Sequence, residues 1–214
     1  MSQTAGLRRA ALIFCWAALA TSACDRGPQP ATRADLAALA AQPDCWMVRL
    51  DNAQLRDDDL AVLADATQLE RVEILGCEFG DDAIARLSAL PKLEWINLPA
   101  GRLTDAGAQR LSSMNKLRIL NLHQTQLTDA GLVHLEELPR LELLRFGSPH
   151  VTDAGLASIA KIKSLRFLHL LNVPLTDEGL KHVAAMEQLE SFYLDGGQCS
   201  DAGLSALLTA RPGL

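Results

Sequence analysis

Apolar positions recur along most of the chain with a fixed period of 24 residues. Within each segment, positions 1, 4, 6, 11, 16, 19 and 22 are apolar, and this holds in all seven segments. A period between about 20 and 50 residues indicates a repeat protein, in which each unit packs mainly against its two neighbours. The segments begin at Cys45, Leu69, Leu93, Leu117, Leu141, Leu165 and Leu189.

Each segment contains a strand pattern followed by a helix pattern. Positions 4 and 6 alternate with polar sites, which predicts a short strand with one buried face. Positions 16, 19 and 22 have helical spacing and predict a helix with one apolar stripe. Because one strand and one helix cannot bury these faces alone, we expect stacked repeats to share a core. Parallel strands would then line a concave side and helices a convex side.

The segment over residues 117–140, LRILNLHQTQLTDAGLVHLEELPR, resembles the leucine-rich repeat through its L-x-x-L-x-L start and its amphipathic second half. The motifs LTDAG from Leu103, VTDAG from Val151 and LTDEG from Leu175 are similar to the ribonuclease-inhibitor and cysteine-containing subclasses, a form also seen in bacterial proteins. The resemblance covers residues 45–212. It implies an α/β leucine-rich repeat solenoid shaped as an open arc, since seven repeats are too few for closure.

The chain departs from this family at position 9 of the repeat. The family usually has Asn or Cys there, and that side chain satisfies backbone groups at the turn. We therefore expect the hydrogen bonds of most turns to be met in another way. The residues at this position are Ala53, Cys77, Gly101, Thr125, Pro149, Val173 and Gly197.

Residues 34–44 are predicted to form a helix that caps the first repeat, ahead of the seven repeats assigned to residues 45–214. Thr32 and Asp35 have the spacing of a capping box. Leu36 and Leu39 supply an apolar side that can cover the first repeat. The C-terminal sequence TARPGL contains no comparable cap.

Residues 1–23 are predicted to be a secretory signal peptide. Arg8 and Arg9 precede an apolar run over residues 10–20. At about 1.5 Å per residue this run reaches only about 17 Å, well short of a hydrocarbon core of about 30 Å. The small residues before Cys24 resemble the lipobox of bacterial lipoproteins. In that family the cysteine sulfur receives a diacylglyceryl group, and the signal is cut immediately before it.

The alternative to lipidation at Cys24 is an ordinary signal-peptidase cut after Ala20, which would leave a free thiol. Thr21 stands where the lipobox usually has Leu. Residues 24–33 have the composition of a flexible tether and favour the lipid anchor. We therefore predict a lipid-anchored protein on the periplasmic side of the bacterial cell envelope. The choice between inner and outer membrane stays open.

Composition and charge disfavour two classes of electrostatic partner. The formal net charge is −6 and the chain has no basic run, which disfavours nucleic acids and anionic lipid surfaces as electrostatic partners. Leucine contributes 40 residues and aromatic residues only 4%, as a repetitive aliphatic core would. Beyond the signal and the lipidated residue, Cys45, Cys77 and Cys199 remain. They are odd in number and irregularly spaced, so we interpret them as small buried hydrophobes.

An acidic column occupies position 13 of every repeat. Stacked at a spacing of about 5 Å, it could form a calcium ladder. Thr or Ser at position 12 and the place of the acid in the first helical turn favour helix capping instead. Because the chain also lacks metal-ligand and nucleophile motifs, we predict no metal site, no cofactor and no enzyme activity. The column consists of Asp57, Asp81, Asp105, Asp129, Asp153, Asp177 and Asp201.

Position 3 of the strand carries large apolar residues in four consecutive repeats. Polar and aromatic residues at position 5 flank this stripe on the predicted concave side. An apolar stripe within a mixed polar surround is typical of a protein-binding surface, although packing between neighbouring strands is an alternative interpretation. The predicted protein-binding residues are Trp95, Ile119, Leu143, Phe167, Tyr193, Arg145 and His169.

Together these features predict a lipid-anchored extracytoplasmic module that binds a protein partner on the concave face of the arc. The partner's identity cannot be read from the sequence. One alternative is a structural envelope spacer, which would show no saturable binding. A second is an enzyme inhibitor or immunity-type protein, which only the ribonuclease-inhibitor resemblance suggests.

Overall fold

The structure is a computed structural model that describes residues 30–42 and 44–214. The predicted signal peptide, Cys24 and the first part of the predicted tether lie outside the described residues. The described chain contains one parallel sheet of seven strands in sequential order. These are β1 (Met47–Leu50), β2 (Arg71–Ile74), β3 (Trp95–Leu98), β4 (Ile119–Leu122), β5 (Leu143–Gly147), β6 (Phe167–Leu171) and β7 (Ser191–Asp195).

A helical segment follows each strand, and one further helix precedes β1. Neighbouring helical segments pack against one another in chain order, so the predicted repeat is a strand–helix unit. The α-helices are α1 (Arg33–Ala40), α2 (Asp81–Leu87), α3 (Asp105–Leu111), α4 (Asp129–Val133), α5 (Asp153–Ile159), α6 (Asp177–Ala184) and α7 (Asp201–Ala210). Residues Asp57–Leu63 and His134–Glu137 form 3-10 helices.

The strands pair in the register that the 24-residue period predicts, because residues 24 positions apart lie side by side. Trp95 pairs with Ile119, and Leu143 pairs with both Ile119 and Phe167, so equivalent repeat positions form rows across the strands. Because successive side chains of a strand point to opposite faces, positions 4 and 6 face the helices, while positions 3 and 5 face away from them. We call the latter side the sheet face. β1 and β7 do not pair with each other, so the sheet is open.

The core lies between the sheet and the helices as one continuous layer. The side chains of Ile96, Leu120 and Leu144 at position 4 are all 0% exposed. The pattern changes at the seventh repeat, where the equivalent residue Phe192 is only half-buried and Leu204, at the otherwise buried position 16, is 40% exposed. Burial in a stacked fold needs a neighbour on both sides, and no described repeat follows the seventh.

An aspartate from each of five consecutive repeats binds the next repeat. Asp105 Oδ1 accepts a hydrogen bond from the backbone N–H of Thr128 at 2.8 Å, and Oδ2 accepts one from Thr128 Oγ1 at 2.6 Å. We call this arrangement the aspartate clasp. It recurs between Asp81 and Thr104, Asp129 and Thr152, Asp153 and Thr176, and Asp177 and Ser200.

The clasp extends the predicted capping role of the acidic column. Thr128 Oγ1 accepts a hydrogen bond from Ala130 N at 3.2 Å, so the threonine caps its own helix as expected. Each clasping aspartate begins its own helix and also holds the cap of the next one. The clasp also explains why residue 131 is a glycine, because a Cβ at Gly131 would lie 2.9 Å from Asp105 Cγ.

Each end of the described array has polar side-chain contacts of its own. At the N-terminal end, Thr32 N–H and Oγ1 donate to Asp35 Oδ2 at 2.7 and 2.8 Å, while Leu36 is fully buried. At the C-terminal end, Arg211 connects the residues after α7 to the turn before β7. The Arg211 guanidinium donates to the carbonyl oxygens of Met186, Glu187 and Leu189.

The turns that lack the family's asparagine use hydroxyl groups in two repeats. Thr125 Oγ1 donates to the carbonyl oxygen of Gly147 at 3.0 Å. Ser148 Oγ donates to the carbonyl oxygen of Leu127 at 2.6 Å. Both hydroxyl-bearing residues are buried, so these bonds satisfy backbone groups that water does not reach.

Candidate functional site

The four apolar residues predicted at position 3 form one row on the sheet face. Trp95, Ile119, Leu143 and Phe167 are register partners in consecutive strands, so they span about 15 Å at a strand spacing of about 4.8 Å. Each of these side chains is half-buried. The row therefore contributes to packing between strands and also presents apolar surface. We call it the apolar row.

An arginine of the neighbouring strand covers Trp95 at one end of the apolar row. The guanidinium carbon of Arg71 lies 3.5 Å from the centre of the Trp95 ring, within the range of a cation–π contact. Arg71 also forms an ion pair with Glu73, which is 7% exposed. One face of the tryptophan is thus occupied by a neighbour within the chain. Phe167, at the opposite end of the row, has no such cover among the contacts of the described residues.

The predicted polar and aromatic residues lie together in the adjacent row at position 5. Arg145 pairs in register with His169, and His169 pairs with Tyr193. The rings of His169 and Tyr193 meet edge to face, with centroids 5.9 Å apart and an interplanar angle of 61°. Tyr193 is 51% exposed, so it is the most accessible of the predicted binding residues.

These three residues line an open cavity of about 530 Å³ on the sheet face. We call it the polar depression. Gln124, Asn172 and Asp195, which also line it, were absent from the predicted site. They lie at or just after the ends of their strands. The signal that could have found them is a polar residue one or two positions after position 6, which occurs in each of these three repeats. The remaining lining residues are His123 and Leu171.

Two histidines of the polar depression are held in the neutral form. Burial lowers the pKa of both His123 and His169, and the nearby positive charge of Arg145 lowers it further. His123 Nε2 lies 3.2 Å from Asn97 Oδ1. Because that oxygen can only accept, the ring nitrogen is the donor. At neutral pH the cation of the depression is therefore Arg145.

Arg145 differs from the other arginines near the sheet because no carboxylate of the described residues neutralises it. Arg49 lies 3.1 Å from Asp51 Oδ1, and Arg118 lies 2.8 Å from Glu142 Oε2. Arg71 and Arg166 are also ion-paired. Within the described ion pairs, none involves Arg145.

The described residues contain three cysteines outside the candidate site. Cys45 is buried, Cys77 and Cys199 are half-buried, and all three are free; burial raises the pKa of each thiol. In residues 30–42 and 44–214, no group of three or more His, Cys, Asp or Glu is arranged to hold a metal ion. No helix in the same ranges is both long enough and apolar enough to cross a membrane.

Solved structures with a similar fold include two internalins from Listeria monocytogenes. The internalin inlF has a TM-score of 0.59 and 20% sequence identity, over 75% of this chain and 51% of that chain. The internalin C2 has a TM-score of 0.55 and 20% identity, over 86% of this chain and 72% of that chain. The match thus spans about half the length of the inlF chain. No family model and no curated protein matches this sequence.

Internalins are leucine-rich repeat proteins. Their likeness to this chain, with seven parallel strands that alternate with helical segments in an open sheet, confirms the predicted α/β leucine-rich repeat solenoid.

Proposed function

We propose that this protein is a binding module that holds a protein partner on the sheet face of its leucine-rich repeats. The observation that carries the proposal is the continuity of the apolar row with the polar depression. An interface centre typically combines apolar and aromatic anchors with a polar rim, and both lie here on one rigid sheet. The internalin-like fold supports the same interpretation.

Within this proposal, Phe167 and Tyr193 are the principal anchors. Phe167 is half-buried on the sheet face, and Tyr193 is half-exposed beside the depression. Aromatic residues of this kind are enriched among the few side chains that dominate binding energy. Trp95 is a weaker anchor than the sequence suggests, because Arg71 already covers its ring.

Partner capture tests the proposal. Crosslinking in the native host, followed by mass spectrometry, would identify the partner. Phe167→Ala is expected to weaken its binding by about 1 kcal/mol or more. Val133→Ala is the matched control, since Val133 is 50% exposed on the helical side of the repeat and its loss should leave binding unchanged. Equal binding by wild type and Phe167→Ala would contradict the assignment of the apolar row as an interface.

The same experiments separate the two alternatives. A structural spacer would show no saturable binding, and substitutions on the sheet face would have no effect on its role. An inhibitor or immunity-type protein would bind a partner whose own activity falls on capture. An activity assay on the captured partner therefore distinguishes an inhibitor from a simple binding module.

The cellular setting of the proposal is the periplasmic side of the bacterial envelope, with a lipid anchor on Cys24. The support is the sequence Thr21-Ser22-Ala23-Cys24 after an apolar run, and the tether composition that follows it. Intact-mass measurement of protein purified from the membrane fraction should find a diacylglyceryl group on Cys24. A soluble product that begins at Thr21 would contradict the anchor.

A further inference from the structure

Arg145 is an arginine on the sheet face that has no ion-pair partner among the described residues. It lies in the same row as Arg49, which Asp51 neutralises, but Arg145 has no carboxylate within 4.0 Å among the described ion pairs. Its neighbours His123 and His169 are neutral at neutral pH. Asp195, the carboxylate that also lines the depression, is not paired with Arg145 in the ion pairs of the described residues. A half-buried guanidinium that is not ion-paired is suited to pair with an incoming anion, because a charge-assisted hydrogen bond is stronger than one between neutral groups.

The surroundings of Arg145 indicate which kind of anion fits. Leu143 precedes Arg145 by two residues on β5, so its side chain lies on the same face about 6.6 Å away. Phe167 is the register partner of Leu143. An extended peptide also repeats its side chains on one face at this spacing. One extended peptide can therefore place an acidic side chain against Arg145 and, two residues away, an apolar side chain against the apolar row.

We propose that Arg145 receives an Asp or Glu side chain of the protein partner, while an apolar side chain two residues away contacts Leu143 and Phe167. This inference rests on the proposed function and specifies the partner's chemistry. A protein segment is favoured over an anionic lipid surface because the chain carries a net charge of −6 and the other arginines of the sheet are already ion-paired.

Selection from a displayed library of random peptides tests the inference without the natural partner. Wild-type protein and Arg145→Gln serve as separate targets. Arg49→Gln is the matched control, since it makes the same substitution in the same row at an arginine that is already paired. Wild type and Arg49→Gln should enrich peptides with an acidic residue two positions from an apolar one, and Arg145→Gln should lose the acidic preference.

Affinity measurements on one selected peptide then isolate the contact. Arg145→Gln in the protein, or Glu→Gln in the peptide, should each weaken binding about tenfold or more. The two changes together should weaken it little beyond either one, because they remove the same interaction. Affinity should also rise as the pH falls from about 7.5 toward the lowered pKa values of His123 and His169, because each ring that gains a proton adds positive charge beside Arg145.

The outcomes separate this inference from the proposed function. If wild type and Arg145→Gln select the same peptides while Phe167→Ala selects none of them, the sheet face binds a partner and the acidic contact is wrong. If wild type enriches no peptide over an uncoated surface, both ideas are wrong. If wild type binds phosphatidylglycerol vesicles through Arg145, the recognised anion is a phosphate and the inference is overturned.

Discussion

Replacing Gly131 by alanine should destabilise this protein, although alanine favours helices. A Cβ at residue 131 would lie 2.9 Å from Asp105 Cγ and 3.1 Å from Leu127 Cδ2, with Asp105 Oδ1 closer still. The leucine tip can rotate away. The carboxylate cannot move freely, because Thr128 holds both of its oxygens. The new methyl group would therefore push Asp105 out of the aspartate clasp.

The expected loss follows from the bonds that the clasp contains. Displacement removes one hydrogen bond of 2.8 Å and one of 2.6 Å from Thr128 to the Asp105 carboxylate. Hydrogen bonds to charged groups contribute about 1.5–3 kcal/mol each, and the half-buried setting favours the lower end. Alanine returns about 1 kcal/mol through its helix propensity. The net decrease in the free energy of unfolding should be about 2 kcal/mol.

Urea unfolding followed by circular dichroism, applied to Gly131→Ala, Asp105→Ala and the double variant, measures this effect. Once Asp105 lacks its carboxylate, the added methyl group has nothing to displace. The double variant should therefore be at least as stable as Asp105→Ala alone. Gly213→Ala is the control, since a Cβ there meets nothing within 4 Å. The reasoning is refuted if Gly131→Ala is as stable as wild type, or if the two substitutions simply add.

Three further outcomes are expected. Leu120→Ala should lower the free energy of unfolding by about 2–5 kcal/mol in the same urea assay, because Leu120 is 0% exposed at the centre of the core. Because burial lowers the pKa of His123, the unfolded chain binds a proton more readily than the folded chain below about pH 6.5. Stability should therefore decrease from about pH 7.5 to about pH 5.5, and less so in His123→Gln. Arg211→Ala should speed amide exchange in β7 but not in β4, since Arg211 binds the carbonyls that lead into β7.

The fold could be predicted from sequence because the same short pattern occurs seven times. The apolar pattern within each copy predicts which residues are buried, and the constant period predicts which residues pair in register. The acidic column shows the limit of this reasoning. Asp105, Thr128 and Gly131 are all visible as repeated letters, and a capping role for the threonine was correctly predicted. The clasp was missed because it joins residues 23 positions apart, and local pattern rules do not describe such contacts.

For the predicted binding residues, too, the sequence predicted one part of the arrangement and the structure revealed another. The sequence placed Trp95 and Phe167 in one equivalent position, and the register confirms that they share a row. It could not show that Arg71 covers Trp95, because that contact depends on the path of a long side chain across a neighbouring strand. Whether these residues bind a partner stays a prediction.

By itself, the sequence determined the solenoid, its register and the identity of its buried positions, because a repeated apolar pattern has one efficient way to bury itself. Tertiary structure decided which polar groups are neutralised and which remain open. Arg49 and Arg145 occupy the same repeat position, yet only the first has a carboxylate of the next strand beside it, with Glu73 Oε2 3.8 Å from Arg49 Nε. Leu120 and Phe192 occupy another shared position, yet only the first is fully buried. Identical positions differ because charge and burial depend on the neighbours that stacking supplies, and those neighbours change from one repeat to the next.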